Sequence, residues 1–135
     1  MTRKDIEGRD DIDRLMTEFY GSAMNDPLIG HHFDDMDLDS HLPVIGSFWE
    51  KALFARPVYF SNPMIVHMRL YEKFPLEPSH FVRWVEIFVE SVDRLFEGEM
   101  AEAAKLRARM IATSMNQRLN PDQREHALNS FRRFV

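Results

Sequence analysis

Apolar side chains at Ile12, Leu15, Met16, Phe19, Tyr20 and Ala23 recur at intervals of three and four residues. That spacing lines one face of an α-helix, and Asp10 or Asp11 stands where a cap would start it. At Asp26-Pro27 an aspartate cap precedes a proline suited to the first helical position. LIGHHF is therefore expected to form a short helical turn ending near Phe33, and the acidic run DDMDLDS to follow as a solvated connector.

From Ser40 the set His41, Ile45, Phe48, Trp49, Ala52 and Leu53 again shares one helical face, with Pro43 tolerated because it falls in the first turn. His41 points the same way as these apolar residues. ARPVYFSNP (55–63) has two prolines and no helical period and reads as a loop. Asn62-Pro63 can then open a short apolar turn, MIVHMRL, that carries His67 at its centre. After Glu77-Pro78 the residues Phe81, Trp84, Val85, Phe88, Val92 and Leu95 predict a long helix stopping at Gly98. A further helix carries Ala104, Ala108, Ile111, Ala112, Met115 and Leu119 as far as Asn120-Pro121. No two-residue alternation of strand type stands out and no repeat is visible. The expectation is an all-α domain over residues 1–120 with a tail over 121–135.

Composition narrows the function classes. The 135 residues are 44% hydrophobic and 29% charged, enough for one domain with a real core. Cysteine is absent, so disulfides, zinc-thiolate sites, iron–sulfur clusters and covalent haem attachment through thiols are all excluded. Net charge is −5, and the basic residues are scattered apart from KLRAR (105–109) and an FRR near the end. A nucleic-acid footprint would want a basic stripe. No uncharged stretch approaches the roughly 18 residues needed to span a membrane, so a cytoplasmic protein with neither nucleic-acid nor membrane partners is expected.

Facing pairs of helices often enclose cofactor pockets. A flat apolar ligand such as haem needs one axial donor, for which neutral imidazole is usual, and apolar walls, which 11 Phe, 9 Met and 2 Trp could supply. Aromatic and methionine stripes at helical spacing are as a rule core, so the pattern alone leaves His67 open between iron ligand and satisfied core histidine. Tyr20 and Trp84 read in the same way as core aromatics with polar tips. His31 and His32 are neighbours that should point apart on a helix, so they read as surface or pocket-edge residues. His80 reads as solvated, and His126 lies in the tail.

The order of these residues resembles the truncated haemoglobins, the two-over-two globin family, and specifically group III, over nearly all of residues 5–119. The resemblance is carried by Phe19-Tyr20, DPLIG followed by Phe33, His41 leading into IGSFW, Tyr59 and Pro63 before His67, HMRL, HFVRW ending at Trp84, and RARMIA. It implies a two-over-two helical sandwich holding non-covalent haem b, with His67 the proximal iron ligand. Tyr20 and Trp84 would be distal hydrogen-bond donors and His41 a distal histidine at the pocket. Phe19, Phe33, Ile45, Phe48, Trp49, Met64 and Arg69 would line the pocket. Arg56, Arg69 and Lys73 flank His67, where haem propionates would want cations, although each taken singly reads as a solvated surface residue. Ser61 stands where the family often has glycine.

By the same resemblance the ligands are O2, CO and NO. A buried hydrogen bond to a ligand that gains negative charge contributes roughly 1.5 to 3 kcal/mol, so two donors suit a retentive site better than a carrier. Oxidation of nitric oxide with an external reductase is the implied redox activity, ahead of peroxide activation, because no Asp or Glu adjoins His67 in sequence. The rival expectation is a helical interaction module with His67 as a core histidine. A histidine-carboxylate metal enzyme ranks behind both, since no HExxH or pocket-facing Glu-x-x-His is present.

Overall fold

A computed structural model describes residues 3–55 and 76–120 of the chain. Among them lie four α-helices, α1 (Arg9–Ala23), α2 (Leu38–Phe54), α3 (Pro78–Leu95) and α4 (Glu99–Leu119), with a 3-10 helix at Gly30–Phe33 and no strand. Helix α1 packs on α2 and α3 on α4, and α1 also crosses α3. The result is two layers of two helices, each burying its apolar stripe against the other.

The faces read from the sequence are largely buried on α1 and α3, whereas on α2 only Trp49 of the expected set is enclosed and the others are half buried. Every apolar position expected inward on α1, from Ile12 to Ala23, is enclosed, as are Phe81, Val85, Phe88 and Val92 on α3. Helix α4 instead buries Ala101, Ala104, Ala108 and Ala112. Their small side chains let α3 approach closely. At the centre Phe88 is fully buried and stacked between Trp49 of α2 (ring centroids 4.8 Å apart) and Trp84 (5.6 Å). Phe19 meets Tyr20, Trp84 and Phe88 edge-on at 4.9, 5.6 and 5.7 Å. Such aromatic pairs contribute about 0.5 to 1.5 kcal/mol each beyond the area they bury.

The element ends depart from expectation at three places. Helix α1 is preceded by Gly8, and neither Asp10 nor Asp11 caps it. Asp11 instead accepts from the Glu7 N–H at 2.9 Å and from Lys4 Nζ, which ties down the segment before the helix. Helix α2 begins at Leu38, two residues before Ser40, so Pro43 stands beyond the first turn. Its carbonyl accepts from Arg9 Nη2 and Ser47 Oγ, both at 2.9 Å. Gly98 does not end α3, which closes at Phe96, but opens α4 with φ 136°. A side chain at that φ would be strained. It would also collide with Asp5, whose carboxylate accepts from the N–H groups of Met100 and Ala101 at 2.9 and 2.8 Å. Asp5 thus does for α4 what a cap residue does, from 95 positions away.

Candidate functional site

Tyr20 sits on the last full turn of α1 and His41 on the first turn of α2, and the two helices bring Tyr20 Oη within 2.8 Å of His41 Nε2. Their rings meet edge-on at 5.2 Å. Tyr20 is only 6% exposed, and burial pushes its phenol well above its ordinary value, so the hydroxyl keeps its proton and remains a donor. Phe33, at the end of the 3-10 helix, packs edge-on against Tyr20 at 5.7 Å. Trp84 reaches the same region from α3, and its indole N–H meets no acceptor among the described residues.

Several apolar residues on the faces that pack against this core are only half buried. Phe33, Ile45, Phe48, Ala52, Leu53 and Trp84 all pack against the core with part of their surface left over. Phe19 and Trp49, by contrast, are enclosed by other rings and stand behind this wall as core residues. A buried hydroxyl beside a half-buried imidazole, an indole N–H and a partly covered aromatic wall suit a flat apolar ligand bearing a small polar atom.

His67, Met64 and Arg69 lie outside the described residues, as do Arg56, Lys73, Tyr59 and Pro63. Of the expected set the structure brings Tyr20, His41 and Phe33 into contact, with Trp84 joined to Tyr20 through Phe19, while Ile45 and Phe48 are partly buried against the same core.

Two features here escaped the sequence. Asp26 caps the following turn by accepting from the Leu28 and Ile29 N–H groups, as expected, but it is also paired with Arg83 of α3 at 2.8 Å. Burial opposes its charge, yet the Arg83 hydrogen bond and the two backbone donors outweigh that and hold the carboxyl below its ordinary value. The expectation that His31 and His32 point apart and that His80 is solvated is also corrected. His32 is buried, its ring centroid lies 4.1 Å from His31 and 4.9 Å from His80, and His80 is half buried. The along-chain rule for neighbours in an α-helix does not anticipate a third ring arriving from α3. Among the described residues no group of three such side chains is arranged to hold a metal ion.

Fold and side chains together define a small globin built of two helical layers. No protein-family model matches the chain. It is 31% identical over 111 residues to the group 3 truncated hemoglobin ctb of Campylobacter jejuni, a match covering 78% of this chain and 85% of that protein. The crystal structure of a group III truncated hemoglobin from Campylobacter jejuni superposes with a TM-score of 0.76 at 28% identity, covering 88% of this chain and 95% of that one. The chain belongs to the group III truncated haemoglobins. Among the described residues no helix is long and apolar enough to cross a membrane.

Proposed function

We propose that this globin binds haem b non-covalently, with His67 as the proximal iron ligand and Tyr20, Trp84 and His41 on the distal side, and that it holds O2 and other diatomic ligands there. The carrying observation is the 2.8 Å contact of Tyr20 Oη with His41 Nε2 beside a half-buried aromatic wall. Haem, when bound, supplies an iron site at which a diatomic ligand acquires negative charge. Everything else is done by the chain.

His41 decides which way the Tyr20 proton points. With the imidazole proton on Nδ1, Nε2 accepts from the phenol and the hydroxyl is turned away from a ligand. With the proton on Nε2, His41 donates to the phenol oxygen and frees the O–H to donate into the pocket. Trp84 can only donate. With His41 protonated at Nε2, Tyr20 and Trp84 both donate into the site and together favour a ligand that gains negative charge. Arg56, Arg69 and Lys73 are the cations proposed for the propionates.

Retention of polarised oxygen suits redox chemistry, such as oxidation of nitric oxide with electrons from an external reductase, better than oxygen transport. The test is an absorption spectrum of the purified protein with haem in ferric, dithionite-reduced and carbon monoxide-bound forms, beside His67→Ala. A Soret band that moves on reduction and on carbon monoxide, and that is lost or altered in His67→Ala, is the expected result. A protein that stays colourless with excess haem overturns the reading. Slow reaction of the oxygenated protein with nitric oxide would remove the redox role alone.

A further inference from the structure

We propose that Tyr20 is a redox-active side chain: it gives one electron to a small oxidising radical, nitrogen dioxide or one of its class, while its proton passes to His41 Nε2. The phenolic O–H bond breaks, an N–H bond forms on the imidazole, and the electron reduces nitrogen dioxide to nitrite. A neutral phenoxyl radical is left beside an imidazolium. The geometry is already that of proton transfer. Tyr20 Oη lies 2.8 Å from His41 Nε2, inside the range in which a positioned base takes a proton directly. With the imidazole proton on Nδ1, the Nε2 lone pair faces the phenol.

Burial of Tyr20 makes the two departures depend on each other. Losing the proton first would build an anion on an enclosed ring, which is why burial raises the phenol above its ordinary value. Losing the electron first would build a cation in the same poorly solvated place. When both leave together the buried ring stays neutral throughout. The positive charge appears instead on His41, which is half buried at the start of α2. Asp37 stands at the cap of that helix and Asp39 in its first turn. The Ser40 hydroxyl donates to Asp37 at 2.7 Å and holds its carboxyl below the ordinary range. These carboxylates offset the N–H groups of the helix end, which disfavour a cation.

The rings around Tyr20 suit a radical that must persist long enough to be useful. Phe19 and Phe33 meet it edge-on at 4.9 and 5.7 Å, and neither has an O–H or N–H to lose. The next side chain with such a group on this path is Trp84, one ring further on, 5.6 Å from Phe19. The electron is therefore drawn from Tyr20 first, at the point where a base stands ready. A small radical of this kind arises where nitric oxide and oxygen meet, so the pair would quench it inside the protein. The step itself needs only Tyr20, His41 and the oxidant, and it does not rest on the haem proposal.

Pulse radiolysis of the full chain in nitrite solution, which generates nitrogen dioxide, tests this directly. Transient absorption follows the phenoxyl radical as it forms, and freeze-quench EPR identifies it as tyrosyl. Neither readout depends on bound haem. The wild type should give a fast-forming tyrosyl signal, and Tyr20→Phe should lose it. His41→Gln keeps a hydrogen-bond acceptor beside the phenol but removes the base, so the fast phase should slow about a hundredfold. A wild type without a tyrosyl signal, a fast signal undiminished in Tyr20→Phe, or an unchanged rate in His41→Gln would each overturn the proposal. Should His41→Gln fail to fold, the wild type in deuterated water decides. Radical formation must be slower there than in ordinary water, and equal rates overturn the transfer to His41.

Discussion

Tyr20 and His41 stand 21 positions apart and meet across α1 and α2 at 2.8 Å, so one hydroxyl joins the two helices and, in the function proposed, also donates to the bound ligand. The two roles can be separated. Tyr20→Phe keeps the ring that packs on Phe19 and Phe33, so stability should fall by only about 0.5 to 1.5 kcal/mol, the net contribution of one hydrogen bond. With haem bound, oxygen dissociation should quicken about ten- to a hundredfold, because a hydrogen bond to a charged group contributes more than one to a neutral group. Stopped-flow displacement by carbon monoxide measures it. An unchanged rate would remove Tyr20 from the distal donors.

Trp84 offers a similar dissection on the other helical layer. Trp84→Phe retains a ring for the stack on Phe88 and deletes the N–H. It should also speed oxygen release, and the double variant with Tyr20→Phe should show whether the donors act independently. Additive changes in ln koff mean separate bonds to the ligand. A double variant no faster than the faster single one means a shared network.

The Asp26–Arg83 pair binds the 3-10 helix segment to α3 with its carboxylate almost fully enclosed, the side chain being 3% exposed. Asp26→Asn should therefore lower unfolding stability by about 2 to 4 kcal/mol in urea titrations near pH 7, since it breaks a largely buried pair and weakens the cap of the following turn. The depressed carboxyl sets the pH window. Its contribution is complete above the ordinary aspartate value and disappears as pH falls through the lower folded value. The gap between variant and wild type should therefore shrink only as pH falls below the ordinary aspartate range.

Gly98 and Asp5 form a matched pair at the start of α4. Gly98→Ala introduces a Cβ at φ 136° that would lie 2.5 Å from the Asp5 carboxyl carbon. A loss of about 1 to 3 kcal/mol is expected. Asp5→Ala should cost about 1 to 2 kcal/mol by freeing the Met100 and Ala101 N–H groups. Thermal melts of both variants check this, and a neutral Asp5→Ala would mean that α4 needs no cap.

These cases show what a linear reading can and cannot reach. The helical faces of α1, α3 and α4 were legible because burial acts on every third or fourth residue within one element, and that reading placed Tyr20, His41 and Trp84 on apolar faces, whereas their grouping with Phe33 at one site came from the resemblance. The helix ends were not. Asp5 caps α4 and Arg83 locks Asp26 across separations of 95 and 57 positions, distances at which no local capping pattern operates. The histidine cluster failed for the same reason, because its third member arrives on another helix. Met64, His67 and Arg69 rest on resemblance alone, since they fall outside the described residues.

Arg9 gives the α1–α2 pair an unusual kind of spacer. Its guanidinium reaches Asp13, the Pro43 carbonyl, Ser47 and the buried Glu50 at 2.9 to 3.2 Å, and it passes over Gly46, where even a Cβ would come within 2.9 Å of it. At this end of the pair the gap between helices is therefore bridged by an ionic strut laid across a bare stretch of backbone. Contacts between apolar side chains respond weakly to dissolved ions, whereas a strut of this kind is open to competition from them. Guanidinium chloride, whose cation copies the arginine head, should loosen α1 from α2 at concentrations where urea of equal denaturing strength leaves them together. The solvent thus has a handle on the helix carrying His41 that does not pass through the aromatic core.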